Sequence, residues 1–166
     1  RVELWTEKDA LSQIIHEEAI NYCVPVRVTR GFLSISNKNA WSNENLIILY
    51  FGDFDPSGLC IDMDLKNNDF LEYAEFSRIA LTLDQIETYS LPWVPVKKED
   101  PRADEYIELY GKKGWELDAL NPIALRALVR ESIEPYINFD LEQKQRQELD
   151  HQTQLARVAR TFTEAA

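Results

Sequence analysis

Unbroken apolar runs of strand length alternate along this chain with stretches whose apolar residues recur every three or four positions. Val2-Glu3-Leu4-Trp5 reads as a short strand. Thr6-Glu7-Lys8-Asp9 follows, a hydroxyl with an acid three residues on, which is the pattern of a capping box. Leu11, Ile14, Ile15, Ala19, Tyr22 and Cys23 then hold helical spacing until Pro25 ends it. Val26 to Val28 predicts a second strand, leading to Thr29-Arg30-Gly31-Phe32. After a polar, loop-like stretch from Asn37 to Asn45, Leu46 to Phe51 is apolar throughout. A run of that length fits a strand covered on both faces, as in a parallel sheet. It ends in Gly52-Asp53-Phe54-Asp55-Pro56-Ser57-Gly58, where Pro56 suits the first position of a helix.

Further on, a strand is expected around Arg78 to Leu83 and a short helix from Asp84 to Tyr89. Leu91 to Val96 is an extended connector, and residues 97–114 are polar, with two Gly and one Pro. Asn121-Pro122 is an N-cap and first-turn pair opening a helix whose apolar side is Ile123, Leu128, Val129, Ile133 and Tyr136. Beyond Asn138 the composition shifts to Gln, Glu, Lys and Arg, with Leu155, Val158, Ala159 and Phe162 as one narrow apolar stripe. The chain therefore divides into a body, 1–138, and a charged helical tail, 139–166.

Strands alternating with helices predict an α/β fold with a mostly parallel central sheet flanked by helices. In such sheets ligands bind beyond the carboxyl ends of the strands. Glu7 stands there after the first strand, and Asp53 and Asp55 after the most apolar one.

Composition narrows the field. Of 166 residues, 45% are hydrophobic and 28% charged, which excludes a disordered chain or a disulfide scaffold. No apolar run is long enough to span a membrane. The 18 basic side chains against 29 acidic ones give a net charge of −11, the wrong sign for a simple nucleic-acid binder. Cys23 and Cys60 lie beside apolar residues and read as two buried free thiols in a reducing cytoplasm. His16 and His151 are isolated, so no Cys/His metal spacing exists. The chain starts at Arg1 without Met, as an excised fragment would.

Residues i and i+2 of a strand face the same side, so Asp53 and Asp55 can aim two carboxylates at one point. With Glu7 on another strand end, three acids would repel one another unless a hard divalent cation joined them. Such an ion stabilises charge developing during phosphoryl transfer. The plainer roles stay open: Asp55 before Pro56 as a helix N-cap, Glu7 as a first-turn acid, Gly52 and Gly58 as turn residues.

A strand ending in Glu, a helix, and an apolar strand ending in Asp-x-Asp resemble the Toprim fold. The Gly52-Asp53-Phe54-Asp55-Pro56-Ser57-Gly58 segment and the Trp115-Glu116-Leu117-Asp118-Ala119-Leu120 element are most similar to the Toprim domain of the cleaving subunit of topoisomerase VI and of the meiotic double-strand-break transesterase. The resemblance covers roughly residues 2–138. It implies that Glu7, Asp53 and Asp55 are the catalytic acids, holding Mg2+ (or Mn2+) beside a DNA phosphodiester. Glu116 and Asp118 would support the site, or simply cap a helix. Lys8, beside Glu7, is the basic residue placed to contact a phosphate. In that family the nucleophile is a tyrosine on an upstream winged-helix domain, a domain not found in this sequence, and members work as dimers. None of Tyr22, Tyr50, Tyr73, Tyr89, Tyr106, Tyr110 or Tyr136 is nominated for that role. Arg27, Arg30 and Lys38 are candidate nucleic-acid contacts. Lys97, Lys98 and Arg102, and Lys112 with Lys113, are further small basic clusters, while Trp41 and Trp93 suit core packing better than base stacking. Two rival readings remain. One is a haloacid-dehalogenase-type phosphatase with Asp53 as nucleophile, against which Pro56 replaces the usual Thr or Val. The other is a non-catalytic module whose acidic face binds protein.

Overall fold

The computed structural model describes residues 1–29, 46–66, 74–97 and 99–136. The chain separates into two compact units, Arg1–Ser132 and Ile133–Ala166, and the architecture that follows is that of the first. The expected boundary at 138 and the tail 139–166 lie outside the described residues.

The elements run β1 (Val2–Thr6), α1 (Asp9–Ala19), β2 (Val26–Val28), β3 (Leu46–Phe51), α2 (Pro56–Lys66), β4 (Ala74–Ala80), α3 (Leu83–Thr88), β5 (Val94–Pro95), α4 (Ala103–Tyr110) and β6 (Lys113–Gly114), and a last helix, α5, fills 122–132 of this unit. β1 to β4 form one wholly parallel sheet in the order β2-β1-β3-β4. The protein is thus an α/β fold with a parallel sheet and flanking helices. The most apolar run, β3, sits inside the sheet between β1 and β4, as its composition requires. β5 and β6 make a separate antiparallel pair.

The register sets the two faces. Trp5 pairs with Tyr50, and Tyr50 with Arg78, so the three share a face. Trp5, Leu46, Ile48 and Tyr50 form a buried cluster there, closed by Phe76 of β4 and Ile61 of α2. The same face carries two buried acids. Glu3, fully buried, accepts hydrogen bonds from the Trp5 indole (3.0 Å), from Arg27 (2.5 and 3.1 Å) and from Arg1. Asp62 of α2 accepts from Arg78 at 2.5 and 2.9 Å. Leu4, Leu49 and Phe51 fill the opposite face. Leu11, Ile15 and Ala19 are the buried stripe of α1. α1 is tied to α5 by Glu17–Arg126 (2.5 Å) and Glu18–Arg130 (3.1 Å).

Several sequence expectations change. Thr6 does not cap α1, because it remains in β1, paired with both β2 and β3. The helix begins at Asp9 with Lys8 as N-cap, and the Thr6 hydroxyl accepts only a long bond (3.4 Å) from the Lys8 amide. β4 starts and ends earlier than predicted, and residues 97–114 contain a helix, α4. In α5, Leu125 joins the buried set and Ile123 is 77% exposed, since the helix turns its first residues outward. Cys23 is exposed, in a left-handed turn after Ile20–Tyr22, and Cys60 is partly buried. Trp93 is 53% exposed rather than packed, with the Lys113 ammonium 5.1 Å from its ring centre. Trp41 lies outside the described residues. Among the described residues no helix is long and apolar enough to cross a membrane.

Candidate functional site

β1 and β3 are adjacent and parallel, with Thr6 opposite Phe51, so the residues that follow both strands leave the sheet at one edge. Glu7 enters the turn after β1, and its Oε1 accepts a hydrogen bond from the Asp53 amide at 3.2 Å. Two acids 46 positions apart in sequence are brought together by that single strand pairing.

Asp53 is buried. Its Oδ1 accepts from the Leu117 amide at 2.6 Å and lies 3.2 Å from the Lys8 ammonium. Lys8 also stands 3.5 Å from Glu116 and 3.6 Å from Asp118. The downstream Glu-Leu-Asp element therefore lies beside Asp53, held there by its own backbone amide and by Lys8.

Asp55 has a different job. Its Oδ1 accepts from the Gly58 amide at 2.7 Å, capping α2 just before Pro56. The plain reading of Asp55 as an N-cap is correct in this structure. Gly58 is required beside it, since a Cβ there would lie 2.2 Å from the Asp53 carbonyl oxygen. Asp53 and Asp55 thus engage separate partners and do not converge on one atom.

Their charges still act on each other. Burial pushes the Glu7 carboxyl above its ordinary value, and the negative charges of Asp53 and Asp55 push it further, against the Asp53 amide and Lys8. Burial likewise raises Asp53, only partly offset by the Leu117 amide and by Lys8. For Lys8, burial opposes the charge, but Asp53, Asp118 and Glu116 outweigh it and hold the ammonium above its usual range. The edge is an electronegative patch with one built-in cation.

The site rests on contacts that the sequence did not announce. Phe54, the central residue of Asp-x-Asp, forms a two-way backbone bridge with Trp115 (2.8 and 2.9 Å). Its ring meets Tyr106, Tyr110 and Trp115 edge-on. The Tyr106 hydroxyl donates between the Phe54 and Lys113 carbonyls, at 3.1 and 2.9 Å. Below the loop, Arg78 Nη1 lies 3.1 Å from the carbonyls of Gly52, Asp53 and Leu81, and Nη2 reaches Gly58 at the same distance. Arg78 thus clamps both ends of the Asp53–Gly58 loop while paired with Asp62. The only hint was a charged residue in a predicted strand, which burial requires to be paired.

Beside Asp55 and Glu116 opens a cleft of about 300 Å³, also lined by Ser57, Val94, Lys97 and Asp100. Lys97, Lys112 and Lys113 are exposed on the surrounding segment. Other expected contacts are occupied: Arg27 is committed to Glu3, and Arg102 to Asp100 at 2.8 Å. Arg30, Lys38 and Lys98 lie outside the described residues. Tyr50 is fully buried, which removes it as an accessible nucleophile.

As a seat for a divalent ion, the donor chemistry fits: carboxylate oxygens at one edge, with proton affinities raised by burial and mutual repulsion. The ligand set is not preassembled, because among the described residues no three His, Cys, Asp or Glu side chains stand together in reach of one ion. No protein-family model and no curated protein matches the chain.

Proposed function

We propose that this chain is a Toprim-type domain that binds Mg2+ (or Mn2+) and acts in DNA strand cleavage or transesterification. The observation that carries the reading is the delivery of Glu7 and Asp53 to one sheet edge by adjacent parallel strands, with the Glu7 carboxylate on the Asp53 amide. Glu7, Asp53 and Asp55 would hold the ion. When bound, it supplies charge neutralisation at a phosphoryl oxygen. The chain's own residues position the rest. The Leu117 amide orients the Asp53 carboxylate, Arg78 fixes the loop that carries it, and Asp55 stabilises the first turn of α2. The cleft beside Asp55 and Glu116 carries three carboxylates, counting Asp100, against one lysine, Lys97, so a polyanion would approach it only with a cation bound at the edge. The attacking group would be water or a tyrosine from another domain or a partner copy.

The test is thermal unfolding with and without millimolar Mg2+ or Mn2+. The metal is expected to raise the melting temperature of the wild type, and Asp53→Ala to abolish the rise. A wild-type protein indifferent to both ions would overturn the assignment and leave the protein-binding module in place. Turnover of a small aryl phosphate, lost in Asp53→Asn, would favour the phosphatase reading instead.

A further inference from the structure

The most connected ionic group at this edge is Lys8. Its ammonium meets three carboxylates from two separate parts of the chain: Asp53 after β3, and Glu116 and Asp118 around the turn Leu117–Ala119. The contacts are unequal in setting. The Asp53 side chain is 11% exposed, whereas those of Glu116 and Asp118 are 48% and 51% exposed. Lys8 therefore has one inner partner and two outer ones. Its stem is long and flexible, and its charge is a single point with three rotatable donors.

We propose that Lys8 is an internal cation that holds Asp53 until a divalent ion arrives and then moves outward onto Glu116 and Asp118. The inference rests on the reading of Asp53 as a metal ligand. Asp53 Oδ1 already serves the Leu117 amide and the Lys8 ammonium. A divalent ion approaching the same carboxylate meets the repulsion of an ammonium 3.2 Å from it, in a half-buried setting where water screens poorly. Moving Lys8 toward its outer partners relieves that repulsion while leaving the ammonium ion-paired. Glu116 and Asp118 then favour metal uptake without touching the metal. The same arrangement accounts for a ligand set that is not preassembled: Asp53 is held by Lys8, and Asp55 by the first turn of α2.

Mn2+ binding to the full chain, followed by the paramagnetic resonance of free Mn2+ at constant ionic strength and neutral pH, tests this directly. Lys8→Met keeps the stem and removes the charge. It is expected to bind Mn2+ roughly tenfold more tightly than the wild type. The paired substitution Glu116→Gln with Asp118→Asn removes the outer partners and is expected to weaken binding. In the Lys8→Met background that pair should change nothing, whereas direct metal ligands would still show a loss. Wild-type binding with equal or weaker affinity in Lys8→Met would overturn the role of Lys8 and leave the metal site standing. If Lys8→Met fails to fold, the outer pair alone decides: unchanged affinity overturns the proposal. No Mn2+ binding by wild type or variants would overturn the metal reading and this inference with it.

Discussion

Glu3 and Glu7 are the same residue type four positions apart, yet their surroundings drive them in opposite directions. Burial pushes the Glu3 carboxyl up, but hydrogen bonds from Arg27, Trp5 and Arg1 more than offset it and hold it below its ordinary value. Burial raises Glu7, and its neighbours are carboxylates, so it ends above. The folded state therefore takes up a proton at Glu7 more readily than the unfolded chain does. Its contribution is fully present below the unfolded value near about pH 4 and is lost as pH rises through the folded one. Glu3 has the opposite sign: its contribution is present above about pH 4 and is lost as pH falls through its depressed folded value. Urea unfolding of wild type and Glu7→Gln across this range isolates the Glu7 part. The wild type should lose stability relative to the variant as pH rises above about 4, and a difference flat with pH would refute the raised value. Tyr50 offers a second residue-level test. Its hydroxyl is buried, with no hydrogen-bond partner among the described residues, and burial holds its proton far above the ordinary tyrosine range. Tyr50→Phe removes an uncompensated polar atom and should leave stability unchanged or raise it by up to about 1 kcal/mol. A clear loss in denaturant midpoint would mean that the hydroxyl is satisfied.

The parallel core was legible because its signals are local. The run Leu46–Phe51 announces a buried strand, Pro56 a helix start, and Asn121-Pro122 another, where the Asn121 side chain accepts from the Ile123 amide at 2.8 Å. The placement of Glu7 beside Asp53 followed from topology alone. What stayed hidden depends on partners far away in sequence. α4 was obscured because only Ala103 and Tyr106 of its eight residues are buried, and because Pro101 and Gly111 close on either side read as loop punctuation. Thr6 looked like a cap because the competing pull of two neighbouring strands is not written nearby. Arg78 is the clearest case, since its meaning lies in Asp62 on α2 and in the carbonyls of the loop from Gly52 to Gly58. This yields a prediction for the elements it joins. Arg78→Met should cost about 3 kcal/mol, because it strands a buried carboxylate and several carbonyls. Arg78→Lys should recover only part of that, since a point charge cannot serve Asp62 and the loop at once. Full recovery by Lys in denaturant titrations would show that charge alone matters there.

At the scale of the whole molecule the net charge of −11 is the fact any nucleic-acid role must answer. A polyanion approaching this chain is repelled overall, and the exposed lysines at 97, 112 and 113 neutralise little of that excess. The sign of the magnesium effect on binding separates two cases. For an ordinary basic DNA binder, Mg2+ competes for the phosphates and weakens binding beyond what monovalent salt does. For a protein whose carboxylates hold the ion against the phosphate, Mg2+ reverses the local charge and strengthens binding. Fluorescence anisotropy of a short labelled DNA, with Mg2+ compared with NaCl at matched ionic strength, should therefore show tighter binding with Mg2+. Asp53→Ala should lose the increment while keeping the weak, salt-sensitive background. Exposed Trp93, next to Lys113, should contribute to that background, so Trp93→Ala should lower it without altering the magnesium increment. If Mg2+ weakens binding in wild type and Asp53→Ala alike, the acids at this edge do not meet DNA. The acidic edge would then be a surface for a protein partner.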